Sequence, residues 1–166
     1  WFGIAKEPEI TERERISLLL KNAKAYFEKC ELESINAEFW FEQSHSLGIM
    51  NALFYENKKQ PSVAALFEEI KKLNTTADFL FQKWLRLNFI KLQTTPTVRY
   101  PAMLHKDPDW LSRRVDSGKK ICLLVLDSMG ARQWPLLRNH LQLCANISLE
   151  EHACFSWVPT ITSISR

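Results

Sequence analysis

Between Thr11 and Leu92 apolar residues recur at three- and four-residue steps, the spacing of helix faces, and polar clusters interrupt the pattern at regular intervals. Thr11 and Glu14 form a T-x-x-E capping box, and Ile16, Leu19, Leu20, Ala23, Phe27 and Cys30 follow on one face, which predicts a first helix over about 12–30. Ser34 is a candidate cap for a second. In that helix Ala37, Phe41, Ser44, Gly48 and Ala52 line one side, and Trp40, Leu47, Met50 and Phe54 fill an adjacent one. A helix this apolar is expected to be buried between neighbours. Gly48 is either a point where another backbone approaches closely or a tolerated interior glycine. After the polar break 57–60, Pro61 opens a short helix through VAALFEEIKKL, and Asn74-Thr75-Thr76 is expected to end it. A fourth helix at about 76–92 carries Phe79, Leu80, Lys83, Trp84, Leu87 and Ile90 on a stripe. Four helices with 14 of the chain's 19 aromatic residues among positions 1–92 predict a bundle, with Phe41, Trp84, Leu19 and Leu20 buried and an apolar patch left for a further domain or partner.

The pattern changes past Gln93. Pro96 and Pro101 mark a boundary, Asp107-Pro108 reads as N-cap and first helical residue of a short helix, and Gly118 closes it. The run ICLLVL at 121–126 has no polar alternation, as expected of a strand buried on both faces of a parallel sheet. A helix near 134–143, with Leu136, Leu137, His140 and Leu141 on its packing side, separates it from a second strand-like region at 147–159. The expected fold class is therefore α/β: a helical domain at 1–92, a linker and short helix at 93–118, and the first β-α-β portion of a sheet domain at 119–166.

Two sites in this second half carry candidate chemistry. Ligands of open α/β sheets bind outside the carboxyl ends of the strands, where Asp127 follows the first run and Thr160, Thr162 and Ser163 follow the second. Asp127 is a candidate metal ligand or, alternatively, a residue capping its own turn. Met129 stands where a haloacid-dehalogenase nucleophile motif needs a second Asp, and glycines at 3, 48, 118 and 130 alone assemble neither a phosphate-binding loop nor a dinucleotide fingerprint. Each of the three hydroxyls is either a nucleophile or a helix cap.

The segments YPAMLHKDPDWLSRRVDSGKKICLLVLDSMGARQW (100–134) and CFSWVPTITSISR (154–166) resemble the PglZ family, phosphatase-like proteins of BREX-type phage-exclusion systems within the alkaline phosphatase superfamily. The resemblance implies an alkaline-phosphatase-like domain whose nucleophile maps to Thr162 and one of whose metal ligands maps to Asp127. It further implies two divalent ions, usually zinc, able to clamp the attacking and leaving oxygens of an in-line displacement. The remaining ligands of that set would lie beyond Arg166, since His105, His140 and His152 match no ligand position. The chain starts at Trp1 without Met and stops within the second motif, so a segment of a longer protein is expected.

Two functions follow as expectations. One is the N-terminal part of a metal-dependent phosphohydrolase, acting on phosphomonoesters or phosphodiesters, nucleic acid included. The alternative is a helical interaction module that docks other subunits of the defence complex, with no catalysis by residues 1–166.

Composition narrows the setting. The apolar runs are far shorter than the ~20 residues that span a membrane, and there is no signal-peptide pattern, so a cytoplasmic protein without membrane insertion is expected. The formal charge of +3 comes wholly from residues 93–166, which hold nine basic and six acidic side chains, too small an excess to argue nucleic-acid binding. Arg113, Arg114, Lys119 and Lys120 read as a solvated face. Cys30, Cys122, Cys144 and Cys154 lack metal-site spacing and are expected to be reduced thiols.

Overall fold

The computed structural model describes residues 11–97, 99–145 and 148–157. Among the described residues six α-helices run α1 (Glu12–Lys29), α2 (Ala37–Asn57), α3 (Pro61–Ala64), α4 (Phe67–Thr94), α5 (Asp107–Asp116) and α6 (Trp134–Ala145), with a 3-10 turn at Leu104–Lys106.

Local chemistry sets most helix ends. The Thr11 backbone N–H donates to Glu14 Oε2 at 2.8 Å and the Glu14 N–H donates to Thr11 Oγ1 at 3.3 Å, which completes the reciprocal box at the start of α1. Asn36, not Ser34, caps α2, its Oδ1 accepting the Phe39 N–H at 2.9 Å, while the Ser34 hydroxyl turns back to the Glu31 carbonyl. Gly118, at φ 84°, closes α5 in the left-handed conformation that glycine adopts without steric cost.

The expected break at Asn74-Thr75-Thr76 is absent, and α4 is one helix of 28 residues. The hydroxyls of Thr75 and Thr76 donate to the carbonyls of Lys71 and Lys72, each at 3.0 Å, so these residues serve the helix instead of competing with it. Asn74 faces Asn51 of α2, and the two amides exchange hydrogen bonds at 3.0 and 3.3 Å. A polar cluster that reads as a loop is thus a tertiary contact.

α1 packs on α2 and α4, and α3 fills the corner against α1 and α2. Their shared core contains Ile16, Leu20 and Phe27 of α1, Trp40, Met50 and Phe54 of α2, and Ile70, Leu73, Ala77 and Trp84 of α4. Trp84 is 1% exposed, and its indole N–H donates to the Ile35 carbonyl at 2.9 Å, so its burial leaves no orphan donor. Leu20 is buried as expected, whereas Leu19 and Phe41 are half-buried at the core's rim. Phe79, Leu87 and Ile90 of the expected α4 stripe point outward instead and form an exposed apolar face.

The second half departs from the expected sheet. Among the described residues there is no strand, and 121–126 is irregular and open to solvent, with Leu124 79% exposed and Cys122 exposed beside it. A strand of a parallel sheet needs neighbours to take its backbone N–H and C=O groups, and none of the described residues lies alongside as a ladder. Among its described residues the second apolar region forms one parallel bridge, between Phe155 and Met103. The Leu104 N–H donates to the Phe155 carbonyl at 2.8 Å and the Phe155 N–H to the Ala102 carbonyl at 2.9 Å. Phe155 enters the aromatic cluster between α2 and α4, with ring centroids 4.9 Å from Phe41, 5.6 Å from Trp84 and 6.1 Å from Phe81. The helical bundle, rather than a sheet, captures this segment. α6 forms as expected and packs on α2, with Leu137 and Leu141 half-buried but Leu136 and His140 exposed. No helix among the described residues is long and apolar enough to cross a membrane.

Candidate functional site

Asp127 and Ser128 form a turn at the end of the exposed apolar run. Ser128 adopts φ 59°, a left-handed conformation uncommon outside glycine, and its N–H donates to Asp127 Oδ1 at 2.8 Å. The carboxylate that the sequence marks as a metal ligand therefore also braces its own turn. Thr160, Thr162 and Ser163 lie outside the described residues.

The turn is tied to the bundle three residues later, at Ala131. A Cβ placed on Gly48 would lie 2.7 Å from the Ala131 carbonyl oxygen, so the absent side chain is what lets the 127–131 segment rest on α2. Of the two readings of Gly48, the structure selects close approach. Gln133 then donates its N–H to the Gly130 carbonyl at 3.0 Å, and the chain enters α6 at Trp134.

Beyond this seat, α2, the start of α6 and residues 150–153 enclose a cleft of about 600 Å³, lined among others by Glu38, Phe41, Glu42, His45, Trp134 and Glu151. Glu151 organises it. Its carboxylate accepts the Trp134 indole N–H at 2.7 Å, pairs with Arg138 of α6, and lies 3.8 Å from His45 Nδ1 of α2. One side chain from the 148–157 segment thus joins α2 to α6. Glu150 pairs with Arg99, and its carboxyl is held below the usual carboxylate range, first by hydrogen bonding with Tyr100 and then by the Arg99 charge. His152 stacks on Tyr100 with centroids 4.4 Å apart and meets the edge of Phe41 at 5.5 Å.

Asp107 and Cys154 sit nearby, the Cys154 Sγ 4.0 Å from Asp107 Oδ2. Burial raises the Asp107 carboxyl, with His152 and His105 opposing that rise, and burial followed by the adjacent carboxylate pushes the Cys154 thiol up to about 11. Such a thiol is protonated at neutral pH and is a poor nucleophile. All four cysteines are free thiols, and Arg113, Arg114, Lys119 and Lys120 are exposed.

The residues present can hold one metal ligand at Asp127, but the described residues contain no group of three or more His, Cys, Asp or Glu able to bind an ion together. The Glu151 hub escapes sequence reasoning because its partners are 13, 17 and 106 positions away in the chain; the adjacent acidic pair Glu150-Glu151 inside an apolar region is the one local hint. Comparison with protein-family models, with curated proteins and with solved structures yields no match to this chain.

Proposed function

We propose that this chain is the N-terminal part of a metal-dependent phosphohydrolase, with Asp127 as a metal ligand, Thr162 as the nucleophile and two zinc ions in the complete catalytic domain. The observation that carries the reading is the run 121–126, whose Ile, Leu and Val side chains stand in solvent and lead straight into the Asp127 turn. Such a run is rarely left open, and in a sheet domain further strands would pair with its edges while helices covered both its faces, delivering Asp127 at the sheet's carboxyl edge. The Gly48–Ala131 contact supports this reading, because it gives the turn a rigid seat on α2 independent of the sheet. The motifs at 100–134 and 154–166, which resemble the PglZ family of phage-defence proteins, supply the reaction class. A zinc ion would lower the threonine hydroxyl's pKa, and the helix N-terminus expected after Pro159 would stabilise the phosphate's developing charge.

The test is turnover of p-nitrophenyl phosphate and bis(p-nitrophenyl) phosphate with zinc or manganese. Residues 1–166 alone are expected to be inert, because one carboxylate and one hydroxyl are too few ligands for two ions. In the complete protein Thr162→Ala abolishes turnover with the fold retained, and Asp127→Asn weakens both metal binding and rate. Metal-dependent turnover by residues 1–166, or full activity in Thr162→Ala, overturns the assignment.

A second reading, in which the helices dock other subunits of a defence complex, is favoured by the exposed Phe79, Leu87 and Ile90 on one face of α4. It predicts that Leu87→Glu with Ile90→Lys breaks co-purification with those subunits while leaving the bundle's unfolding midpoint unchanged.

A further inference from the structure

α6 packs on α2 and leaves Leu136, His140, Leu143 and Cys144 in solvent, with Leu143 86% exposed. These four recur at steps of three and four residues and therefore share one helix face. His140 and Cys144 are one turn apart, and the Cys144 Sγ lies 3.8 Å from His140 Nδ1 and 3.7 Å from Nε2. Two ligands of one tetrahedral zinc ion, a thiolate at about 2.3 Å and an imidazole nitrogen at about 2.0–2.1 Å, stand about 3.6 Å from each other. The pair is thus already spaced to hold an ion between its two side chains. A rotation of the exposed ring about its Cβ–Cγ bond aims one nitrogen at that point. The described residues supply no third ligand beside the pair, which makes it half of a closed Cys2His2 site.

Charge and shape on the same face point to the source of the other half. Arg138 is the one charged residue in the α6 sequence, and it pairs with Glu151, so the outer face carries no Lys, Arg, Asp or Glu to repel a like face. Leu136 and Leu143 are one heptad apart on it, the spacing at which two helices interlock. A metal on a two-fold axis receives the same two ligands from each chain. We propose that a second copy of this chain pairs with the first along α6, and that His140 and Cys144 of both copies bind one zinc ion between them. On binding, each thiol releases its proton to solvent and each imidazole coordinates through a neutral nitrogen, so the two thiolates balance the charge of the ion. The inference does not rest on Asp127 or Thr162 and stands whether or not the chain belongs to a phosphohydrolase.

The test titrates residues 1–166 with zinc while light scattering reads the mass, under a phosphine reductant that keeps a Cys144 disulfide from mimicking the pairing. The mass is expected to double at one zinc ion per two chains and to return to the monomer value when a chelator is added. Cobalt in place of zinc should give the intense visible bands of a tetrahedral ion and a thiolate-to-metal charge-transfer band, which an ion at Asp127 does not produce. Cys144→Ser and His140→Ala each abolish the doubling with helicity retained, and each weakens cobalt binding by more than the roughly 10–100-fold that loss of an outer-shell partner costs. Either variant decides the matter if the other fails to fold. His140→Cys restores both readouts, and Cys122→Ser alters neither. Zinc also slows maleimide labelling of Cys144 and leaves that of Cys122 unchanged. An unchanged mass in zinc, an ion bound by each monomer alone, or a dimer equally strong in chelator overturns the proposal. So does wild-type doubling in a folded Cys144→Ser or His140→Ala.

Discussion

Residues 11–94 and 119–134 are both rich in apolar side chains, yet one stretch is folded into a core and the other stands in water. In the first, each helix satisfies its own backbone hydrogen bonds, so Trp84, Met50 and Ile16 can be buried by contacts with two neighbours. In the second, a run as apolar as ICLLVL has no way to satisfy its backbone alone, and its side chains stay exposed. Hydrophobicity states a need for cover; backbone pairing decides whether the cover can be local.

The sharpest way to break the comparison is at Trp84. Trp84→Ala removes a ring packed against Trp40, Phe81 and Phe155 and leaves the Ile35 carbonyl without its donor. A loss of about 3–5 kcal/mol is expected from urea unfolding followed by helix signal. A loss below about 1 kcal/mol would mean the bundle does not depend on that centre.

Next in size is the joint between the two regions. Gly48→Leu forces a side chain into the Ala131 carbonyl, so the 127–134 segment and α6 are expected to leave α2 while residues 11–94 keep their helices. Hydrogen exchange of α6 and protease cleavage within 119–134 should rise about tenfold or more, with mean helicity little changed. Unaltered protection of α6 would show that Glu151 and its partners alone hold it.

The exposed run sharpens the comparison from the other side. Leu124→Lys in residues 1–166 is expected to shift stability by no more than about 0.5 kcal/mol, as for any exposed site. In the complete protein the same change should lower soluble yield and activity if the run is the buried strand proposed above. A neutral effect there as well would remove the reason to call it a strand.

Thiol chemistry gives a smaller, local measure. At pH 8 the exposed Cys122 and Cys144 are expected to react with a maleimide or a disulfide reagent more than tenfold faster than Cys154, whose thiol is half-buried and raised to about 11. The Cys154 rate should climb as pH rises through that value. Equal rates for all three at pH 8 would mean that the 153–155 segment does not stay on the bundle.

The smallest effect belongs to the α1–α4 ion pair, Lys24 Nζ to Glu69 Oε2 at 2.6 Å. Lys24 lowers the Glu69 carboxyl, so the pair's contribution is present above the ordinary carboxylate range and is lost as pH falls through the lowered folded value. Lys24→Met is expected to cost only what exposed pairs usually contribute, and the difference should shrink in high salt.

What could be read in advance follows the same division. The Thr11–Glu14 box, the Pro61 start and the Gly118 stop act within a few residues, and α1, α5 and α6 appear within a residue or two of their expected bounds. The errors fall where a residue's partner is distant in the chain or where a hydroxyl turns back onto its own helix. Asn74 reads as a loop until Asn51 is beside it, and Thr75 and Thr76 read as breakers although their hydroxyls bond the preceding turn. Asp127 could be singled out at the end of an apolar run, but the hydrogen bond it accepts from Ser128 and the seat of Ala131 against α2 could not.

By itself, then, the amino-acid order determined where α1, α5 and α6 begin, which residues form apolar stripes and which carry candidate chemistry, because capping and periodicity are local forces. Tertiary structure alone decided that Phe155 enters the aromatic cleft of the bundle, that Gly48 admits the Ala131 carbonyl, and that Glu151 gathers His45, Trp134 and Arg138. Each of these joins groups far apart in the chain, and their meeting depends on which surfaces the packed helices leave open.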